Sequence, residues 1–149
     1  RPHPLMFANF LRNNIMSEKE ITEFKCQCNK LCNVTLDESE NYLDSIQKSG
    51  IFVSDFSSLL AEFFATGKPV IYCDGSRGFS KEAMIMDSAL YHAANWEEIE
   101  SQLLALLSGA DELKDKRKSA LKAFLPQQHG TVAERILLFI KDDYYGATQ

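Results

Sequence analysis

The chain has 149 residues, of which 45% are hydrophobic, 25% are charged and 11% are aromatic. This is the composition of an ordinary globular protein with enough apolar material for one core, and it excludes low-complexity, collagen-like and coiled-coil chains. The 16 Lys and Arg residues stand against 21 Asp and Glu, for a net charge of −5, so we expect no nucleic acid among the partners.

Neither a membrane span nor a secretory signal is visible in the sequence. No apolar run approaches the roughly 20 residues that a membrane helix needs, and the start lacks the order of regions that marks a signal peptide. We therefore expect a cytoplasmic protein. Because the chain begins Arg1-Pro2-His3-Pro4 without an initiator Met, we interpret it as a piece of a longer protein.

Short apolar strands alternate with helical segments through the first half of the chain. Ser17 and Glu20 have the spacing of a capping box. The predicted elements are a helix over 17–27, a strand over 32–36, a helix that starts near Asp37 and ends at Gly50, a strand over 51–55, a helix over 59–65 and a strand over 69–73.

The second half continues the alternation after a polar loop over 74–88. An edge strand is predicted over 89–94, and a helix over 96–107 follows the capping pair Asn95 and Glu98. The remaining predicted elements are a mixed-charge helix over 111–124 and a last helix that Thr131 and Glu134 cap. Strands that are apolar on both faces and alternate with helices are typical of parallel βαβ units. The sequence therefore predicts an α/β fold, a Rossmann-like doubly wound parallel sheet with helices on both faces, in one domain over 1–149.

Polar residues follow the strand over 51–55, at the place where ligands bind in open α/β sheets. The strand ends in Ser54 and Asp55, and Ser57 and Ser58 stand at the start of the next helix. Their hydroxyls and the backbone amides there are suited to converge on a phosphate. The alternative is that Ser57 only caps the helix.

Several other ionisable residues are candidates for the same chemistry. His3 lies between two prolines that fix its backbone, which suits acid–base work, although a surface histidine would look the same. Arg77 precedes a glycine and is interpreted either as a phosphate ligand or as solvated. Glu62 lies in an otherwise apolar helix, where an unpaired charge is costly. We therefore expect it to face the ligand-binding cleft at the strand ends or to pair with a cation. His129 lies beside a helix start, where its protonated form is disfavoured, and both His129 and His92 are interpreted as structural rather than catalytic.

Two clusters favour a structural interpretation. Cys26, Cys28 and Cys32 lie close together, but a zinc site usually has a second pair of ligands, so we predict reduced thiols and no bound metal. Basic residues alternate with acidic ones between 111 and 122, which indicates a solvated helix face; contact with anionic lipid is the alternative. The basic residues of this stretch are Lys114, Lys116, Arg117, Lys118 and Lys122.

Four segments, taken in order, resemble the C-terminal nucleotide-binding domain of the CDP-glycerol glycerophosphotransferase family, the polymerases and primases of teichoic acid synthesis. They are RPHP at 1–4, SGIFVSDFSSLLAEFFATGKPVIYC at 49–73, RGF at 77–79 and HGTVAERI at 129–136. The resemblance implies a two-lobed, GT-B-like transferase of which this chain is most of the second lobe. Such an enzyme moves a polyol phosphate from a CDP-activated donor to a hydroxyl of a growing polymer and releases CMP.

The same resemblance implies roles for individual residues. It makes His3 catalytic and gives weaker nucleotide-binding roles to Glu62, His129, Gly130 and Thr131. The residues that it places at the donor diphosphate are Ser54, Asp55, Ser57, Ser58 and Arg77. It implies no cofactor or metal, a polymer acceptor as partner, and a place at the inner face of the membrane.

The chain departs from the family pattern in two places. SKEAMIMD at 80–87 replaces an aromatic and acidic stretch, and His129-Gly130 replaces an Asp-Gly pair. Because the first lobe would carry a further catalytic histidine, we expect this chain alone not to turn over. Two other functions remain open, a UDP-sugar glycosyltransferase or epimerase in which Glu62 holds the ribose, and a non-catalytic scaffold in polysaccharide assembly.

Overall fold

A computed structural model of the chain describes residues 1–55, 57–73, 79–80, 83–125 and 132–146. The chain divides into two compact units, Arg1–Ser49 and Gly50–Gln149. The single domain over 1–149 stays a prediction. Within the described residues, no helix has both the length and the apolar character that a membrane-spanning segment needs.

The first unit contains three helices, α1 (Met6–Arg12), α2 (Glu18–Lys30) and α3 (Leu43–Lys48). The capping box predicted before α2 is confirmed. The Ser17 hydroxyl accepts the Glu20 N–H at 3.3 Å, and the Glu20 carboxylate accepts the Ser17 N–H at 2.8 Å. The Ser17 hydroxyl also donates to this carboxylate, at 2.7 Å. The hydrogen bonds that the carboxylate accepts from the Ser17 N–H and hydroxyl lower the pKa of Glu20, because they favour its ionised form.

The strand predicted over 32–36 is wrong, since these residues form neither a helix nor a strand. Val34 is 39% exposed, so the apolar pattern of the segment does not correspond to a buried strand. The helix expected near Asp37 begins only at Leu43. The reason is local, because the carboxylate of Asp37 accepts the Ser39 N–H at 3.0 Å and thereby favours a turn over a helix.

The second unit contains a parallel sheet in the order β1 (Phe52–Ser54), β2 (Val70–Cys73) and β3 (Tyr91–Ala93). All three strands lie within segments that the sequence predicts to be strands. The helices of this unit are α4 (Ser58–Phe64), α5 (Met84–Asp87), α6 (Trp96–Leu107), α7 (Lys114–Phe124) and α8 (Val132–Gly146). The fold is therefore mixed α/β with a three-stranded parallel sheet. The order does not reverse among the described strands, so the doubly wound topology stays a prediction.

Helices cover both faces of this sheet. Phe52 of β1 stacks on Phe63 of α4, with 4.9 Å between the ring centroids. Ile71 of β2 packs instead with Ala93 and with Leu106 of α6. Because Phe52 is aligned with Val70, and side chains alternate along a strand, Phe52 and Ile71 point to opposite faces.

A buried arginine joins α7 to the turn before β2. The sequence predicts a solvated face that includes Arg117, and this is wrong for Arg117, whose exposure is 2%. Its Nε donates to the Gly67 carbonyl at 2.8 Å, and its Nη atoms donate to both carboxylate oxygens of Asp111. The Tyr91 hydroxyl donates to Asp111 as well, at 2.8 Å. The four lysines of the stretch are exposed.

Candidate functional site

The predicted phosphate-binding residues follow the carboxyl end of β1. Ser54 is the last residue of the strand and is half-buried, and Asp55 is exposed. Ser57 is half-buried, and Ser58 is exposed at the first position of α4. The structure thus brings these four predicted residues together at one edge of the sheet, because the chain turns there from β1 into α4.

Ser57 is the N-cap of α4, as its alternative interpretation holds. Its Oγ accepts the Leu59 N–H at 3.3 Å, and its backbone is extended. The cap occupies the hydroxyl only as an acceptor, so its proton is still available to a ligand oxygen. Ser54 and Ser58 form no side-chain hydrogen bond to another residue that the structure describes.

A row of three side chains crosses the sheet beside these serines. The strand register aligns Ser54 with Tyr72, and Tyr72 with His92, so the three side chains share one face. Tyr72 is 3% exposed, and its ring lies edge-on to the His92 ring at 5.6 Å. Sequence reasoning missed this row. The period-2 pattern of each strand gives the face of a side chain, but only the register shows which strands pair at which residue.

His92 contacts the end of α5. Its Nε2 lies 3.2 Å from the Asp87 carboxylate and 3.2 Å from the Asp87 carbonyl oxygen. These contacts and the packing on Tyr72 agree with the structural role that the sequence predicts for His92.

Glu62 is exposed on α4. Water therefore solvates its carboxylate, and the desolvation cost that an apolar helix suggests does not arise. Glu62 forms no ion pair with another residue in the described part of the chain. Its helical neighbours Phe63 and Phe64 are buried, so α4 has an apolar face and an exposed one.

His3 lies in the first unit, immediately before α1, and is exposed. Its Nδ1 accepts the Leu5 N–H at 3.1 Å, and its carbonyl accepts the Met6 N–H at 2.8 Å. A neutral imidazole whose Nδ1 is an acceptor carries its proton on Nε2. The ring therefore presents an N–H donor at its far end. That His3 and the serines act on one ligand stays a prediction.

Four predicted site residues, Arg77, His129, Gly130 and Thr131, lie outside the described residues. Among those described, no three or more His, Cys, Asp or Glu side chains are grouped so that they could hold a metal ion. All four cysteines are free thiols; Cys26 and Cys32 are exposed, and Cys28 and Cys73 are half-buried.

Comparison with protein-family models, with curated proteins and with solved structures gave no match to this chain.

Proposed function

We propose that the chain is the Rossmann-like, nucleotide-binding lobe of a GT-B-like transferase that moves a polyol phosphate from a CDP-activated donor to a hydroxyl of a growing polymer. The observation that carries the proposal is the cluster of Ser54, Asp55, Ser57 and Ser58 at the carboxyl end of β1. This is the edge of a parallel sheet at which α/β proteins bind nucleotides. The family resemblance supplies the choice of donor.

The serines and the aspartate suit different parts of such a donor. A hydroxyl donates to a phosphoryl oxygen, so Ser54, Ser57 and Ser58 are the groups for the diphosphate. An ionised carboxylate only accepts, and it repels phosphate. We therefore assign Asp55 to a hydroxyl of the ribose or the polyol. Because α4 has only seven residues, the hydroxyls rather than the helix dipole are the main source of binding.

In the proposed reaction, the acceptor hydroxyl oxygen attacks the β-phosphorus of the donor. A P–O bond to the polymer forms, the P–O bond to CMP breaks, and the acceptor proton passes to a base or to water. Negative charge grows on the phosphoryl oxygens and on the leaving CMP. Fixed hydroxyl donors stabilise this charge, and removing one such donor costs on the order of 3 kcal/mol in comparable sites.

Two roles are open to His3, removal of the acceptor proton and a hydrogen bond to a phosphoryl oxygen, and its geometry favours the second. A general base needs an unprotonated nitrogen that faces the acceptor hydroxyl. The Nδ1 of His3 is occupied by the Leu5 N–H, and its Nε2 carries the proton in the neutral ring. His3 is therefore better suited to donate a hydrogen bond to a phosphoryl oxygen than to remove a proton. The proposal places the reaction in the cytoplasm, with a polymer acceptor at the inner face of the membrane.

The test is calorimetric titration of the chain with CDP-glycerol, CMP, UDP and a UDP-sugar. We expect CDP-glycerol and CMP to bind more tightly than the uridine ligands. A preference for uridine would instead support the UDP-sugar enzyme, in which the exposed Glu62 binds ribose hydroxyls. Binding of none of the four would support the non-catalytic scaffold and overturn the proposal.

A matched pair of variants locates the site. Ser57→Asp keeps an N-cap acceptor but replaces a donor by a negative charge, so we expect CDP-glycerol affinity to fall by about one to two orders of magnitude. The control Ser119→Asp adds the same charge at an exposed position of α7. Arg117 holds this helix near Gly67, which precedes β2 and so lies at the end of the sheet opposite the serines. This control should leave the affinity unchanged. Equal affinities of the two variants would refute the site assignment.

A further inference from the structure

The side chain of Arg1 is tied to the segment between α2 and α3. Its Nη1 donates to the Asp37 carboxylate at 2.8 Å and to the Ser39 hydroxyl at 3.1 Å, and its Nη2 donates to the Ser39 carbonyl. Only 16% of the Arg1 side chain and 23% of the Asp37 side chain are exposed. Three hydrogen bonds with two residues therefore fix the guanidinium in one place.

Asp37 is itself held from several sides. Its Oδ1 accepts the Ser39 N–H at 3.0 Å and the Ser39 hydroxyl at 2.6 Å, and its Oδ2 accepts the hydroxyl of Ser45 in α3. The hydrogen bonds from Ser39 and Ser45, and then that from Arg1, hold the pKa of Asp37 well below its ordinary value. The carboxylate is thus ionised at neutral pH and remains a partner for the guanidinium.

The backbone between Arg1 and α1 is stiff. Pro2 and Pro4 fix their own φ angles on either side of His3, and each restricts the residue before it. On the other side of His3, the Leu5 and Met6 N–H groups donate to its ring and to its carbonyl. His3 is therefore held between the Arg1 anchor and the start of α1.

We propose that Asp37 is a positioning residue for His3: by holding Arg1, it keeps the imidazole in the orientation in which Nδ1 accepts the Leu5 N–H and Nε2 points outward as a donor. The Leu5 hydrogen bond is local and exposed, so water competes with it. A free Arg1–Pro4 segment would let the ring turn away, whereas an anchored one does not. The positioning of the ring does not depend on the proposed function. The identity of the group that accepts the Nε2–H, a phosphoryl oxygen, rests on it.

The first measurement is by NMR on the whole chain and needs no ligand. Two quantities report the orientation of the ring, namely the hydrogen-exchange protection of the Leu5 amide and the order parameter of the His3 Cε1–H bond. In Asp37→Asn we expect the protection to fall about tenfold and the order parameter to drop. Arg1→Gln should do the same while it leaves the bonds of Asp37 to Ser39 and Ser45 intact, so it covers the case in which Asp37→Asn does not fold.

The matched control is Glu38→Gln, which makes the same carboxylate-to-amide change one residue away. It breaks the exposed ion pair of Glu38 with Lys25, at 2.7 Å, without touching Arg1. Both NMR quantities should keep their wild-type values in this variant. Wild-type values in both Asp37→Asn and Arg1→Gln, or equal losses in Glu38→Gln, would overturn the proposal.

The second measurement is CDP-glycerol affinity, and it separates this proposal from the proposed function. If both are right, Asp37→Asn and His3→Gln weaken binding by similar factors, about tenfold, and Glu38→Gln does not. If His3→Gln binds like the wild type but Asp37→Asn loosens the ring, positioning by Asp37 is supported and the phosphate role of His3 fails. If the ring stays ordered in Asp37→Asn, positioning by Asp37 fails whatever the affinity.

Discussion

Replacing Asp111 by Asn tests the buried ion pair that holds α7 in the second unit. Arg117 is 2% exposed, and the Asp111 side chain is 20% exposed, so the cation is the more deeply buried partner. Asn keeps the shape of Asp but loses the charge, and it offers one acceptor where the guanidinium needs two. The Tyr91 hydroxyl loses its ionised acceptor in the same step.

The expected cost follows from this burial. Removing one partner of a fully buried ion pair costs about 3–5 kcal/mol, because it leaves an uncompensated buried charge. Water reaches part of the Asp111 carboxylate, so we expect the lower end of that range, about 3 kcal/mol. In a chain of this length, that loss lowers Tm by roughly 6–12 °C.

The reverse substitution should cost less. Arg117→Met keeps the buried aliphatic stem, removes the cation and leaves Asp111 to water and to Tyr91. Its main loss is the hydrogen bond to the Gly67 carbonyl, and we expect about 1 kcal/mol. The double variant should be more stable than Asp111→Asn alone, because the unpaired buried cation is then absent.

The assay is thermal and urea unfolding of the four proteins, followed by circular dichroism at neutral pH. The three differences in free energy of unfolding give the coupling between the two side chains. The reasoning is refuted if Asp111→Asn lies within 1 kcal/mol of the wild type, or if Arg117→Met is the more destabilised of the two single variants.

Two further predictions concern a helix cap and the pH dependence of stability. Asn95→Ala should destabilise the protein by about 1 kcal/mol in urea unfolding, because the Asn95 Oδ1 accepts the Glu98 N–H at 2.9 Å at the start of α6. Asn95→Asp retains this acceptor and should cost little. Equal losses in the two variants would contradict the cap. The free energy of unfolding should fall as the pH drops below about 4. In the folded protein the pKa values of Asp37 and Asp111 lie below the ordinary value of about 3.9. The stabilisation that the two ionised carboxylates contribute is therefore lost as the pH falls through those folded values. For Asp111, burial raises the pKa, but the hydrogen bonds from Arg117 and Tyr91 and the charge of Arg117 lower it more. Acid unfolding of Asp37→Asn should accordingly depend less steeply on pH, and an unchanged slope would argue against this origin.

Neighbouring residues decide the capped helix starts at Ser17 and Asn95 and the apolar strands within 51–55, 69–73 and 89–94, so these elements could be predicted from the sequence. The helix over 96–107 has the observed bounds, since Asn95 and Glu98 cap it with bonds that span three residues. The strand prediction over 32–36 failed because a strand also depends on residues far away in the sequence. A short β-branched run favours a strand only where a partner strand is available. Helix α1, which begins at Met6, was missed because the prolines at 2 and 4 indicated a loop.

The candidate site shows the same division. The serines were predicted to stand between a strand and a helix, and in the structure β1 ends at Ser54 and α4 begins at Ser58. Their role as phosphate ligands stays a prediction. The alignment of Ser54 with Tyr72 and of Tyr72 with His92 depends on register between strands, which no local pattern fixes. Likewise, nothing near Asp37 in the sequence indicates that it binds Arg1, 36 residues away.

By itself, the sequence determined the caps, the apolar strands and the alternation that make this an α/β chain, because hydrogen bonds over two to four residues and the burial of apolar side chains are written in local order. Only the tertiary structure decided that Arg117 is buried. In a run of alternating charges it looks like its solvated neighbours, yet it is buried because Gly67, 50 residues earlier, and Asp111 come to lie around it. A charge can be buried where the fold supplies its partners, and distant partners are not visible from a residue's neighbours in sequence.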